Sequence, residues 1–110
     1  MMTVNELCEK MGLTAVTLPD GDREIHGAYC CDLLSWVMGR AKADDVWITI
    51  MSNSNIVAVA SLADVATILL AEGVELDDNV KQLAEAKGVN VLSSDKPIYE
   101  FAKELSSFLK

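Results

Sequence analysis

Two apolar runs, residues 46–51 and 67–71, stand fifteen residues apart, and that gap limits the folds open to the chain. Both have the length and the β-branched, aromatic and aliphatic make-up of buried strands. Parallel neighbours need a crossover of roughly a dozen residues, usually a helix. Residues 55–65 are the only material for one, and Ser54 stands where an N-cap belongs. By residue type Asn55-Ile56-Val57-Ala58-Val59-Ala60 reads as a strand. Topology overrides that reading, and residues 55–65 are expected to form a well-buried helix.

The flanking segments extend the alternation. Thr3 and Glu6 form a capping box ahead of Val4, Leu7, Cys8 and Met11, which recur at helical spacing and stop at Gly12. Residues 15–18 read as a short strand ending in the turn Pro19-Asp20-Gly21-Asp22. A second strand over 25–31 leads to Asp32, a cap for a helix with an apolar stripe of Leu33, Leu34, Val37, Met38 and Ala41. A polar helix over 77–87 closes at Gly88, and residues 89–92 form the last strand. Ile98, Phe101, Ala102, Leu105 and Leu109 then share one face of a terminal amphipathic helix. From Ile25 onward the order is βαβαβαβα. The fold expected is α/β, a three-layer sandwich with a mostly parallel sheet and helices on both faces, in one domain over residues 1–110.

Composition agrees with such a sheet. The chain is 51% apolar with a mean hydropathy of +0.24, and strands buried on both faces call for that excess. It also suits a homodimer, because 110 residues have little interior. The charge-free stretch from Val46 to Ala63 is interrupted by Thr49, Ser52, Asn53, Ser54, Asn55 and Ser61, so no membrane span is expected. The first residues show neither a basic region nor an apolar core of a signal peptide, and a cytoplasmic protein is expected. A net charge of −8 disfavours nucleic acid and anionic membrane as partners. Cys8, Cys30 and Cys31 are an odd, unpatterned set, so no structural disulfide is expected.

Ligands of parallel α/β sheets bind at the carboxyl ends of the strands, beside helix N-termini. Four loops fall there: Cys30-Cys31-Asp32, Ser52-Asn53-Ser54-Asn55, Glu72-Gly73 and Ser93-Ser94-Asp95-Lys96. Ser52, Asn53, Ser54, Asn55, Glu72, Gly73, Ser93 and Ser94 are therefore the candidate ligand-binding residues. Ser52–Asn55 leads them, with four uncharged hydrogen-bonding side chains ahead of a helix dipole that favours anions. The simpler role for Asn53, Ser54 and Ser93–Pro97 is capping.

The runs Asp32-Leu33-Leu34-Ser35, Asp45 to Ile50, Asn55 to Ala60 and Ile68-Leu69-Leu70-Ala71-Glu72-Gly73 resemble the DRTGG-domain family, over about Gly27 to Leu92. The likeness is to its small stand-alone members, some labelled serine kinase or regulator of the HPr protein. The domain is also an accessory module of long phosphotransacetylases and CBS-domain pyrophosphatases. It is similar in fold to the non-catalytic N-terminal domain of HPr kinase/phosphorylase. The family's Asp-Arg pair would fall near Ser52-Asn53-Ser54 and is missing, and of its Thr-Gly-Gly only Gly73 remains, after Ala71-Glu72. A P-loop is missing too: Gly39 precedes Arg40-Ala41-Lys42, with no second glycine and no Ser or Thr. The resemblance therefore implies a regulatory or interaction module, not a kinase.

Other chemistry is thin. Cys30-Cys31 could bind a soft metal, but a site wants more ligands and strand alternation sends the two thiols to opposite faces. His26 is the only histidine and falls inside a strand, away from the expected site. Asp44-Asp45 and Asp77-Asp78 sit where aspartates cap turns and helices. Trp47 is expected in the core, and Trp36, off its helix's main stripe, at a dimer contact. No catalytic residue, metal or cofactor is expected. The reading is a non-catalytic regulatory or interaction module, a homodimer that binds a partner protein. The alternative is a sensor of a nucleotide or phosphorylated metabolite.

Overall fold

The computed structural model describes residues 2–109. The chain runs α1 (Val4–Lys10), β1 (Thr14–Thr17), β2 (Gly27–Cys30), α2 (Leu34–Arg40), β3 (Asp45–Thr49), α3 (Asn55–Ala63), β4 (Thr67–Leu70), α4 (Asp78–Ala86), β5 (Val91–Ser93) and α5 (Ile98–Ser106). The five strands form one sheet in the order β1-β5-β4-β3-β2. β2 to β5 are parallel, and β1 joins β5 antiparallel, with Thr14 opposite Ser93.

The segment 55–60 is helical, as the crossover requires. α3 buries Ile56, Val57, Val59 and Ala60, so packing offsets the modest helix propensity of its β-branched residues. Asp64 ends it in the left-handed conformation at φ 60°.

Each parallel strand lies beside its predecessor, so the sheet grows in one direction. Right-handed crossovers then place all three connecting helices on one face. α2, α3 and α4 cover that face, where Val37, Ile56, Val80 and Ala84 meet Trp47, Ile68, Leu70 and Val91. The opposite face is covered by the first and last helices. Val4 and Leu7 of α1 and Phe101 and Leu105 of α5 pack there on Val46, Ile48, Leu69 and Leu92. The pleat divides the residues: Trp47 points to one layer, its neighbours Val46 and Ile48 to the other. Burying side chains such as Phe101 or Leu69 contributes about 1.5–3 kcal/mol each.

Several local expectations change. The stripe of α2 is narrower than predicted, because only Val37 is fully buried while Leu33 and Met38 are exposed. Asp32 does not cap α2. Its Oδ1 accepts hydrogen bonds from Thr49 Oγ1 at 2.8 Å and the Ile50 amide at 3.1 Å, tying the end of β2 to that of β3. Ser54 holds the N-cap position of α3 without a side-chain cap bond. His26 lies just before β2 rather than within a strand. Among the described residues, no helix is long and apolar enough to cross a membrane.

Candidate functional site

The carboxyl ends of the strands bring some of the expected residues together and leave others apart. The loops after β4 and β5 are joined by backbone bonds, Glu72 N–H to Lys96 C=O at 2.9 Å and Gly73 N–H to Ser94 C=O at 3.0 Å. Glu72 and Gly73 both take left-handed conformations, φ 61° and 73°. A side chain at Gly73 would be strained there, and its Cβ would lie 3.2 Å from Asp95 Oδ1. Gly73, Ser93 and Ser94 open onto a hollow of about 390 Å³, which Thr14, Glu75 and Asp95 also line.

The Ser52–Asn55 loop is not part of that hollow. Asn53 Oδ1 accepts the Asn55 amide at 2.9 Å, a local Asx turn that opens α3. Ser94 Oγ likewise accepts the Lys96 amide at 3.1 Å. Lys96 Nζ is engaged by Glu104 of α5, so its charge is partly neutralised. Lys96 also lines the hollow, where Glu75 and Asp95 set two carboxylates against its one shared charge, which favours donors or cations over anions.

Thr14 and the Met11-Gly12 turn are not legible as site residues in the sequence. They reach the hollow because β1 runs antiparallel to β5 and sets Thr14 opposite Ser93. The signal would have been the register of β1, and periodicity does not carry strand pairing.

Cys31 packs on the α2 side of the sheet, while Cys30 is exposed. Partial burial, then the charge of Asp32, pushes the Cys30 thiol above its ordinary range. Burial does the same to Cys8. No group of three or more His, Cys, Asp or Glu that could hold a metal occurs among the described residues.

The polar residues that meet over the longest sequence separations lie at the opposite, amino end of the strands. Arg23 bridges Asp44 at 2.9 Å and Asp64 at 2.8 Å, residues that precede β3 and β4. Burial works against the Arg23 charge, but bonds to Asp64 and Asp44 outweigh it and raise its pKa. His26 stands 3.7 Å from Asp44 and 3.9 Å from Glu24, with its side chain half exposed. This end holds the loops in register.

The face of α2 and α3 differs from both ends. Leu33, Trp36, Met38, Ile50 and Leu62, on these helices or the segments leading into them, are all exposed, and Arg40 lies 3.7 Å over the Trp36 ring. Trp47, by contrast, is fully buried and donates its indole N–H to Cys31 C=O at 2.9 Å.

Set against known proteins, residues 29–108 match the DRTGG-domain family model. Among solved structures, the fold is similar to the CBS and DRTGG domains of the regulatory region of Clostridium perfringens pyrophosphatase, solved with its activator diadenosine tetraphosphate. The TM-score is 0.71 at 9% identity, over 92% of this chain and 44% of that one. The likeness is one of fold, and the chain spans less than half of the neighbour. No significant match is found among curated proteins.

Proposed function

Because this chain belongs to the DRTGG-domain family, we propose that it is a non-catalytic regulatory module that self-associates and acts by contact with a partner protein. The carrying observation is the surface of α2 and α3. Six large hydrophobic residues stand exposed among the described residues, and five lie on these helices or the segments leading into them; only Tyr99 lies elsewhere. The two helices span seven and nine residues and carry one charge, Arg40, in a chain with 17 acidic residues. Charge depletion around exposed aromatic and aliphatic side chains is the composition of an interface core. The regulatory part of the reading draws on the fold neighbour, whose DRTGG domain belongs to a regulatory region.

A second reading has its own observation. The hollow at Gly73, Ser93 and Ser94 has room for part of a small molecule, so the module could respond to a metabolite. The carboxylates of Glu75 and Asp95 count against the phosphate end of a nucleotide and for its hydroxyl-bearing part.

Thermal unfolding separates the two. A self-associating module gains stability by mass action, so its midpoint rises with protein concentration and stays flat across a panel of nucleotides and phosphorylated metabolites. A sensor shows the reverse: a ligand at 100 times its dissociation constant adds about 2.7 kcal/mol at any protein concentration. A midpoint unmoved by protein concentration but raised by a ligand would replace the first reading with the second.

A further inference from the structure

We propose that the second copy docks through α2, packed antiparallel on its own symmetry mate with Trp36 at the twofold axis. This rests on the self-association in the reading above and specifies its surface. Asp32 stands at the amino end of α2, Arg40 at its carboxyl end, and Trp36 lies four residues from each. In an isologous contact the same patch meets itself, so residue i faces j and j faces i. Two antiparallel copies centred on Trp36 therefore bring each Arg40 to the other copy's Asp32. Trp36 to Arg40 is four helical residues, about 6 Å, and Asp32 lies two residues ahead of the first helical one, so both ion pairs flank one centre.

The groups are disposed for it. Trp36 is 48% exposed and Leu33, the N-cap residue, 54%, although Val37 of the same helix is fully buried. Ile50 is 42% exposed and sits against Asp32, whose Oδ1 holds its amide. Both bonds to Asp32 use Oδ1, which leaves Oδ2 for a donor from outside. Arg40 lies with its Cζ 3.7 Å over the Trp36 ring, which keeps a guanidinium with several donors at the carboxyl end of this face. Charge complementarity identifies the occupant as another copy of this chain. A molecule of net charge −8 repels itself everywhere except where its carboxylates are sparse, and α2 and α3 hold none. The one acid beside Trp36 and Leu33 is matched by the one base, in the order that an antiparallel pairing of identical helices requires.

Sedimentation equilibrium tests this on the full chain. The wild type is expected at twice the 11.9 kDa chain mass, and Trp36→Glu at one chain mass with an unchanged circular-dichroism spectrum. Arg40→Glu and Asp32→Lys should each weaken the dimer at least about tenfold, through like charges at two symmetric sites. Mixing these two variants should restore a dimer. The mixed pair joins the two introduced charges, which are opposite, at one site and keeps the native Arg40 and Asp32 together at the other. A dimer that persists in both Trp36→Glu and Arg40→Glu would overturn this surface while keeping self-association. A monomeric wild type throughout the concentration range would overturn both and assign the face to a different protein.

Discussion

The two ends of the sheet are built by different rules. At the amino end, side chains reach far along the sequence. Asn90 donates to Asp20 C=O at 2.8 Å and Ala66 C=O at 2.9 Å and accepts the Asp20 amide at 2.9 Å. Thr17 Oγ1 donates to Val89 C=O at 2.8 Å, and Arg23 gathers the loops before β3 and β4. At the carboxyl end, the side-chain bonds of the candidate loops are local. Asn53 serves Asn55 and Ser94 serves Lys96, two residues on. The exceptions are Asp32, which ties β2 to β3, the Trp47 indole on Cys31 C=O, and Lys96 on Glu104. One end is secured by tertiary bonds that fail together; the other consists of turns that tolerate change. Stability and recognition are thereby separated along the strands.

The largest expected effect is at the amino end. Asn90→Ala removes three bonds and leaves the buried Ala66 carbonyl unpartnered, so about 2–4 kcal/mol should be lost in urea unfolding. A loss below about 1 kcal/mol would mean that water replaces the amide and that this end is not locked. Arg23→Ala, which cuts two half-buried charge-assisted contacts, should cost about 1 kcal/mol and lose most of that effect in molar salt. At the carboxyl end, Asn53→Ala with Ser54→Ala should change stability by at most about 0.5 kcal/mol, since Ser54 makes no cap bond. A larger loss would show that this loop, too, is part of the scaffold.

The smallest effect concerns pH. The Thr3 amide and hydroxyl hold the exposed Glu6 carboxyl below its ordinary range. A pKa depressed in the folded state contributes stability above the unfolded value and loses it as pH falls through the folded one. Between pH 6 and 3, about the range spanned by carboxylate titration, the α1 amides should exchange faster as pH falls, and Glu6→Gln, which removes the titrating carboxyl, should flatten that dependence. An unaltered pH profile in Glu6→Gln would show that the titration of this cap does not couple to the stability of α1.

The same contrast explains which parts of the site are legible in the sequence. Ser93, Ser94, Gly73 and the Asn53-Ser54 turn are readable because local chemistry marks them: hydroxyls and amides before a helix, a glycine where φ is positive. Arg23 is not. Nothing in Gly21-Asp22-Arg23-Glu24 distinguishes it from a solvated charge, and its partners lie 21 and 41 residues away. Asp32 is misplaced by its local context for a related reason. Sequence sets it one step before a helix, while the parallel register of β2 on β3 sets it beside Thr49.

What the sequence determined by itself was the order and type of the elements. Strand lengths, the fifteen-residue gap and the cost of an unbridged parallel pair are local quantities, and they made residues 55–63 a helix against their own propensity. Tertiary structure alone decided the strand order, the antiparallel seat of β1 beside β5 and the pairing of α1 with α5 on one face. It also decided how α2 is rotated, burying Val37 and leaving Leu33, Trp36 and Met38 outside. The physical reason is that a period specifies which residues share a face. Which faces meet is set by the area they bury together, and that depends on every other element at once.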